Sequence, residues 1–341
     1  MANANITFRT QLLGGVYDFC HNSKLPLLNN ALHLVELVVL LARYQEEGVS
    51  LCPEVYITNR IDSACTMLPE SELLKIGQTN PDSDGIKQVL KKCAPLAFDG
   101  WLIYIQDNHD IIEYGLFKGS SNPISVIVDD VLMDKDIDFA IVKACQIAHD
   151  CVEIRCNNGN YHYIFLNHRK EDSPPPLQYL DKLVRAITEN SSIDEREPTF
   201  GLLKKLLFDA LRQSHGCIIA VTHLNHAPLF LSEDGVILEQ PINFSDMVKA
   251  LKKSEILPSK IESKGKLLNG MLNSDGIIIF NNSGQLLGYN CFVKTTQDEN
   301  IVGGARKRAF STLGKEIGNN LTAVFIQSQD GWSDFKGNNN D

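Results

Sequence analysis

One pattern occurs twice in this chain: an Asp-Gly pair, an apolar strand, a polar turn and a second strand that ends in glycine. The first copy spans residues 98–115 and contains Asp99-Gly100, and the second spans residues 274–288 and contains Asp275-Gly276. Two apolar stretches joined by a short polar turn predict a β-hairpin. The recurrence predicts two related α/β units, although hairpins before a helix are common enough to arise twice independently.

The segments after each hairpin support the same division. In each half a predicted helix follows the hairpin and strands follow the helix, at 138–149 and then 151–156 and 161–166 in the first, and at 306–317 and then 321–327 in the second. Residues 169–176 contain three consecutive prolines and predict an extended linker, because proline excludes helix. We therefore predict an N-terminal α/β domain over residues 1–175, as a degenerate repeat, and a C-terminal domain over residues 176–341.

Predicted strands and helices alternate along the chain. The strands of the second half are predicted at 217–222, 228–231, 276–281, 286–294 and 321–327, and its helices at 177–189, 200–213, 244–253 and 261–272. A polar break over residues 190–198 separates the first two of these helices. In the first half, helices at 71–76 and 85–92 follow a strand at 51–58. Alternation of this kind predicts an α/β (α+β) fold, with a mixed β-sheet flanked by helices.

Composition limits the classes of protein that fit. The net charge of −10 makes nucleic-acid binding unlikely as a function, since that affinity comes from cations that neutralise phosphates. The nine cysteines form no CxxC pair, and with no signal peptide they predict a reducing, cytoplasmic environment. The longest apolar run, residues 34–42, contains Glu36, and the segment 32–41 is well short of the ~20 residues that a membrane helix needs, so we predict no membrane segment.

The densest charge cluster is Arg306-Lys307-Arg308, in a predicted helix start. Three cations there suit a phosphate, because backbone N–H groups and the helix dipole act in the same direction as the side chains. The alternative is a solvated helix face, as most short charge runs are. In the first half, Asp129 and Asp130 are predicted to be solvated turn residues and a helix cap.

Three motifs resemble those of the diadenylate cyclase (DAC) domain, the catalytic N-terminal domain of the DNA-integrity-scanning proteins. They are Asp275-Gly276-Ile277, Arg306-Lys307-Arg308 and Ser328-Gln329-Asp330-Gly331, in the order in which the family has them. A hydrophobic strand ending in glycine, residues 285–288, lies between the first two motifs, as in the family. The resemblance covers residues 200–337 and implies a mixed sheet covered by helices.

The resemblance also implies roles. In an active cyclase Asp275 would hold Mg²⁺ or Mn²⁺ and help to activate a ribose 3′-hydroxyl, while Arg306 and Arg308 would bind phosphates. Because the family reacts two ATP molecules across two protomers, such an enzyme would form homo-oligomers. The nucleotide-binding residues implied by the resemblance are Asp275, Gly276, Ile277, Leu287, Gly288, Cys291, Phe292, Gly304, Ala305, Arg306, Lys307, Arg308, Ser328 and Gln329.

The sequence departs from the family pattern at four positions. Ile277 replaces a small residue, Ala305 a hydroxyl residue and Lys307 a histidine, and Gln329 stands where active cyclases often carry glutamate. Loss of that carboxylate weakens metal binding, because Mg²⁺ and Mn²⁺ prefer charged oxygen ligands. We therefore expect a non-catalytic sensor of an adenine nucleotide or cyclic dinucleotide, in nucleotide signalling or phage defence. The alternatives are an active diadenylate cyclase and an assembly scaffold with a vestigial pocket.

Overall fold

The computed structural model describes residues 8–25, 31–108, 110–148, 150–166, 178–294, 304–328 and 332–337. The chain forms two units: unit 1 comprises residues 1–121 and 125–173, and unit 2 comprises residues 122–124 and 174–341. Each unit has a mixed sheet flanked by helices, which confirms the predicted fold class. The predicted linker, residues 169–176, lies outside the described residues. No helix in the described ranges has both the length and the apolar character needed to cross a membrane.

Unit 1 contains a seven-stranded sheet with the order β4-β6-β5-β3-β7-β8-β9. Strands β3 and β5 are parallel, and the other neighbouring strands of this sheet are antiparallel. Two short strands, β1 and β2, pair separately. The elements are α1 (Phe8–Ser23), α2 (Ala31–Leu41), β1 (Gln45–Glu46), β2 (Val49–Ser50), β3 (Glu54–Thr58), α3 (Ile61–Thr66), β4 (Glu72–Thr79), α4 (Ser83–Cys93), β5 (Leu102–Asp107), β6 (Ile112–Lys118), α5 (Val128–Leu132), β7 (Ile141–Ala148), β8 (Cys151–Cys156) and β9 (Tyr161–Phe165).

Unit 2 contains a six-stranded sheet with the order β11-β13-β12-β10-β14-β15. Strands β10 and β12 are parallel, and the other neighbours are antiparallel. The elements are α6 (Leu180–Thr188), α7 (Ile193–Gln213), β10 (Cys217–Thr222), α8 (Leu229–Ser232), β11 (Val236–Asn243), α9 (Phe244–Lys252), α10 (Pro258–Leu272), β12 (Ile277–Asn281), β13 (Gln285–Cys291), α11 (Ala305–Gly314), β14 (Leu321–Gln327) and β15 (Ser333–Gly337).

The two sheets share one topology. In each unit two helices precede a central strand, β3 or β10, which lies parallel to the first strand of a hairpin, β5-β6 or β12-β13. The second hairpin strand pairs with an edge strand, β4 or β11, and the other side of the central strand pairs with β7 or β14. Among the described residues, β9 has no counterpart in unit 2. The prediction of two similar sheet units is confirmed.

The Asp-Gly pairs precede equivalent strands in different registers. Gly276 directly precedes Ile277, the first residue of β12, which packs on the face covered by α8 and α11. In unit 1, Trp101 separates Gly100 from Leu102, the first residue of β5, which packs on the face covered by α3 and α5. The first copy therefore contains one additional residue between the glycine and the strand.

Helices cover both faces of each sheet. In unit 2, α6, α7, α9 and α10 pack around Phe280 and Phe325 on one face, while α8 and α11 pack around Phe310 and Val324 on the other. In unit 1, α1, α2 and α4 cover one face, and α3 and α5 cover the other. Every residue of β7, β10 and β12 is consequently buried, because these strands are covered on both faces.

Three local predictions were wrong. The helix predicted over 71–76 is part of β4, the helix predicted over 138–149 contains β7, and the strand predicted over 228–231 overlaps the short helix α8. An apolar run buried on both faces has no alternation, so the sequence of β7 fits a helix equally well. β4 is an edge strand with mostly exposed residues, so it also lacks the alternating pattern. Pro228 has extended backbone and serves as the N-cap of α8.

The predicted polar break at residues 190–198 was also partly wrong, because α7 begins at Ile193 and contains Pro198. Proline has no N–H group, so the Asp194 carbonyl loses the donor that a helix would normally supply four residues later. The Lys252 Nζ atom donates to that carbonyl over 2.6 Å. A contact from α9 therefore replaces the missing bond and stabilises a helix that the local sequence disfavours.

Candidate functional site

The first motif lies at the start of β12. Because β12 runs parallel to β10, with Ile277 beside Ile218, the turn before β12 lies at the same sheet edge as the residues before β10. The Asp275 side chain is 80% exposed. Its Oδ1 atom accepts a hydrogen bond from the Gly276 N–H group over 3.0 Å. The motif therefore presents a carboxylate to solvent at this edge.

Gly276 has a φ angle of +102°, which side chains disfavour, and a Cβ atom there would lie 2.8 Å from the Asn290 carbonyl carbon. We expect Gly276→Ala to destabilise unit 2 by more than ~1 kcal/mol, because it adds both backbone strain and a clash with backbone. The measurement is urea denaturation followed by circular dichroism. Gly270→Ala is the control: its Cβ would meet nothing within 4 Å inside α10, so stability should rise slightly. Equal effects from the two changes would contradict this account of Gly276.

The second motif forms the first turn of α11. Gly304 is the N-cap residue, and no side chain caps this turn. The Arg306 Nη1 atom donates to the His215 carbonyl over 3.0 Å, and its Nη2 atom lies 3.8 Å from Asp275 Oδ1. Arg306 thus contacts the residues before β10 and those before β12. The structure brings the first two predicted motifs together at one sheet edge.

The third motif follows β14. The Ser328 N–H group donates to the Trp332 carbonyl over 2.7 Å, and the Trp332 N–H group donates to Ser328 Oγ over 3.2 Å. The Lys307 Nζ atom lies 5.7 Å from the centre of the Trp332 ring, a cation–π distance. Lys307 of the second motif therefore contacts the residue that directly follows the third motif. Gln329 lies outside the described residues.

Three of the predicted site residues have side chains in the core. Ile277, Leu287 and Cys291 are buried between the sheet and α11, together with Phe310. Burial raises the pKa of the Cys291 thiol to about 11, so the thiol stays protonated at neutral pH. These three side chains pack between the sheet and α11, so they cannot contact a ligand in solvent.

Other predicted residues lie closer to the surface. Phe292 is 46% exposed, and its N–H group donates to the Asp234 carbonyl over 3.1 Å. Ala305 is exposed in the first turn of α11, and Arg308 is half-buried at the end of the same turn. Gly288 lies on β13, where a Cβ atom would come within 2.9 Å of the Val236 carbonyl oxygen, so its packing against β11 already requires glycine.

The contact between Arg306 and Asp275 is loose and exposed. With side chains 39% and 80% exposed, such a pair contributes only ~0–1 kcal/mol to stability. A phosphate could therefore replace Asp275 beside the guanidinium at little cost. The Arg306 charge also affects the buried Cys217 thiol. Burial raises the pKa of this thiol to about 12, and the positive charge of Arg306 acts to lower that pKa.

The described residues do not supply the ligands that Mg²⁺ or Mn²⁺ requires. They contain no group of three or more His, Cys, Asp or Glu side chains placed to hold a metal ion. Asp275 contributes one carboxylate, one oxygen of which already accepts the Gly276 N–H group and faces Arg306. Both ions prefer several oxygen ligands, so the donor set seen here does not fit them.

Unit 1 has an acidic residue, Asp129, in the first turn of its corresponding helix, α5. Asp129 is not the solvated residue that was predicted. Its carboxylate accepts from Lys143 Nζ over 2.7 and 2.8 Å and from Arg155 over 2.6 Å, and also from the Tyr56 hydroxyl. Lys143 Nζ also lies 2.7 Å from Glu54. We call these five residues the ionic cluster.

The ionic cluster remains charged although Lys143 at its centre is buried. Burial alone would lower the pKa of Lys143, which is 2% exposed, but Asp129 and Glu54 outweigh that effect and raise the pKa well above its usual value. Burial would raise the pKa of Asp129, yet Lys143 and Arg155 hold it well below its usual range. The pairs attach α5 to the sheet. In unit 2 the corresponding surface, between β14 and α11, is apolar.

Two site residues were missed by sequence reasoning. His215 contributes a backbone carbonyl, and a carbonyl carries no signal in the sequence. Trp332 directly follows the third motif, Ser328-Gln329-Asp330-Gly331. This adjacency was the signal in the sequence that could have identified Trp332 as a site residue, and the structure places its ring beside Lys307.

No protein-family model matches this chain, and no curated protein matches it. The class of protein therefore rests on the fold and the site. It is an α/β protein of two topologically equivalent units, one of which has a basic helix start beside an exposed aspartate.

Proposed function

We propose that unit 2 binds an adenine nucleotide or a cyclic dinucleotide at the start of α11 and acts as a sensor that leaves its ligand unchanged. The observation that carries this proposal is the position of Arg306, 3.0 Å from the His215 carbonyl and 3.8 Å from Asp275. A guanidinium group has five N–H donors in a planar fork. Anchored by one carbonyl and held loosely by a carboxylate, Arg306 retains donors for a phosphate.

In this proposal the ligand phosphate displaces Asp275 from Arg306. The first turn of α11 adds backbone N–H groups that no side chain caps, and the positive end of the helix dipole lies there. Lys307 and Arg308 add positive charge along the same turn. The start of the helix, the Arg306 guanidinium and the charges of Lys307 and Arg308 all attract anions. They form a local anion site although the net charge of the chain is −10.

The base of the nucleotide would contact aromatic side chains. The resemblance puts Cys291 and Phe292 near the base, and of these two only Phe292 has a side chain that reaches solvent. Trp332 lies beside Lys307, so a base stacked on its ring would leave the phosphates close to the cations. We assign the base to Trp332, because Phe292 follows β13, which three other strands separate from β15 in the sheet.

A sensor fits the described residues better than an enzyme. The metal ligands expected of a cyclase are not assembled in the described part of the site, and Lys307 replaces the histidine of the family pattern. A role in nucleotide signalling or phage defence, in the cytoplasm, belongs to the same proposal.

Incubation with ATP and Mn²⁺, followed by mass spectrometry, separates the sensor from the alternatives. We expect a saturable rise in melting temperature with nucleotide and recovery of the nucleotide unchanged, because binding to the folded state alone stabilises it. Formation of cyclic di-AMP would identify an active cyclase. No thermal shift with any adenine nucleotide or cyclic dinucleotide would leave the vestigial pocket as the remaining interpretation.

Asp275→Asn distinguishes displacement of the carboxylate from metal binding. We expect metal-free binding of cyclic di-AMP to become up to about fivefold tighter, because the change removes a negative charge that competes for Arg306. The measurement is a titration in EDTA and again with Mn²⁺. Weaker binding in Mn²⁺ together with no gain in EDTA would show that Asp275 holds a metal and does not compete with the phosphate.

A further inference from the structure

In the part of the chain that the structure describes, β15 is the last strand on one side of the sheet of unit 2. Among the described residues β15 pairs only with β14. The equivalent strand of unit 1, β8, carries the antiparallel strand β9 on its other side. Within the described ranges, the sheet of unit 1 therefore has one more strand at this end of the shared topology than the sheet of unit 2. An edge strand presents unpaired backbone groups that can pair with another strand.

The hydrogen bonds of β15 show which backbone groups face outward. The Ser328 N–H group bonds to the Trp332 carbonyl, and hydrogen-bonded pairs alternate along an antiparallel ladder. Asp334 and Lys336 therefore direct their backbone groups to β14, and Phe335 directs its own away from it. In agreement, the Phe335 N–H group donates to the Asp334 carboxylate over 2.8 Å instead of to a backbone carbonyl.

We propose that a second copy of this chain pairs with β15 through its own β15, antiparallel and centred on Phe335. This register lets the two Phe335 residues exchange both backbone hydrogen bonds. It also places Asp334 of each copy directly opposite Lys336 of the other, in the pair type whose side chains approach most closely. The segment Ser333-Asp334-Phe335-Lys336-Gly337 is thus self-complementary in charge about a two-fold axis.

The surroundings of Phe335 fit such a partner. Its ring stacks on Tyr179, with centroids 6.5 Å apart. It also lines a cavity of ≈ 370 Å³ with Phe200 and Arg185 on the side of α6 and α7. The Phe335 of the second copy would lie on the same face and extend this aromatic surface. On the opposite face Lys336 is exposed, and its Nζ atom lies 4.9 Å from the centre of the Phe310 ring.

The expected dimer is weak. A strand of five residues spans about 17 Å, which buries less than the ~1,200 Å² typical of stable interfaces. We expect association in the micromolar range, measured by sedimentation velocity of the full chain over a concentration series. A wild-type chain that stays monomeric up to about 500 μM, far above that range, would overturn the proposal.

Charge exchange tests the register. Asp334→Lys and Lys336→Asp should each weaken self-association about tenfold, because two attractive pairs per dimer become repulsive. An equimolar mixture of the two variants should form heterodimers, since every pair is then complementary. The double variant should dimerise like wild type, although it lacks the Lys336 contact with Phe310 as Lys336→Asp does.

An association constant that these changes leave unaltered would assign dimerisation to another surface and overturn the proposal. Should a variant fold poorly, hydrogen exchange of the wild-type chain provides an independent measurement. The Phe335 amide should become more protected as protein concentration rises, and protection independent of concentration would contradict β15 pairing.

Discussion

Replacement of Lys143 by methionine is expected to destabilise the protein by about 3–5 kcal/mol. Lys143 lies in the ionic cluster, 2% exposed, with Nζ 2.7 Å from Glu54 and 2.7 Å from Asp129. Methionine fills a similar volume, so the loss would come from two largely buried carboxylates, Glu54 and Asp129, that lose the cation they share, although Asp129 keeps Arg155. The measurement is urea denaturation of the full chain, followed by circular dichroism.

Lys294→Met is the matched control. Lys294 also pairs with a carboxylate over 2.7 Å, that of Glu233, but the two side chains are 85% and 62% exposed. Water solvates both charges in the variant as well, so stability should change little. Equal losses from Lys143→Met and Lys294→Met would contradict the structural role of the ionic cluster.

The Lys143 effect should depend on pH. The pKa of Asp129 is lower in the folded protein than in the unfolded chain, so its contribution is present above ~4 and is lost as the pH falls through the folded value. In Lys143→Met the main cation is gone, and burial then favours protonation of Asp129. The stability difference between wild type and variant should therefore narrow in acid. A difference that stays constant between pH 7 and about 3 would contradict this coupling.

The second large effect is expected from Arg306→Ala combined with Arg308→Ala. Charge-assisted hydrogen bonds contribute ~1.5–3 kcal/mol each, so the double variant should bind nucleotide at least about 100-fold more weakly. Both side chains lie in the first turn of α11, and the sheet beneath packs against Phe310, so the fold should survive the change. The measurement is a nucleotide titration monitored by thermal shift.

Lys182→Ala combined with Arg185→Ala provides the control with the same change in charge. These residues belong to α6, which packs on the sheet face opposite to α11. Affinity should change little, because the removed charges are not part of the proposed phosphate site. A similar loss in both double variants would indicate a general electrostatic effect of net charge rather than a site at α11.

The fold was predictable where local signals and packing agree. The hairpins β5-β6 and β12-β13 follow from polar turns between apolar strands, and the division into two similar units follows from their recurrence. β7 was not predictable in this way, since a strand buried on both faces has no alternation. The ionic cluster was also missed, because Lys143 lies within that apolar run and its partner Asp129 comes from a segment 14 residues earlier.

The candidate site was predictable only where local signals in the sequence mark the ends of strands and helices. Asp275 precedes a strand and Arg306 begins a helix, and both boundaries have local signals in Gly276 and Gly304. Their approach depends on the parallel pairing of β10 with β12, a long-range feature that no local signal in the sequence predicts. The His215 carbonyl could not be predicted at all, because every residue has one.

The most direct test of the account is a calorimetric titration of the full chain with ATP and with cyclic di-AMP, followed by mass spectrometry of each mixture. We expect saturable binding of one of them without added metal, with the nucleotide recovered unchanged. Cyclic di-AMP formed from ATP would show that the protein is an enzyme. The absence of saturable heat with either ligand, at protein concentrations where the chain is folded, would contradict a nucleotide site at the start of α11.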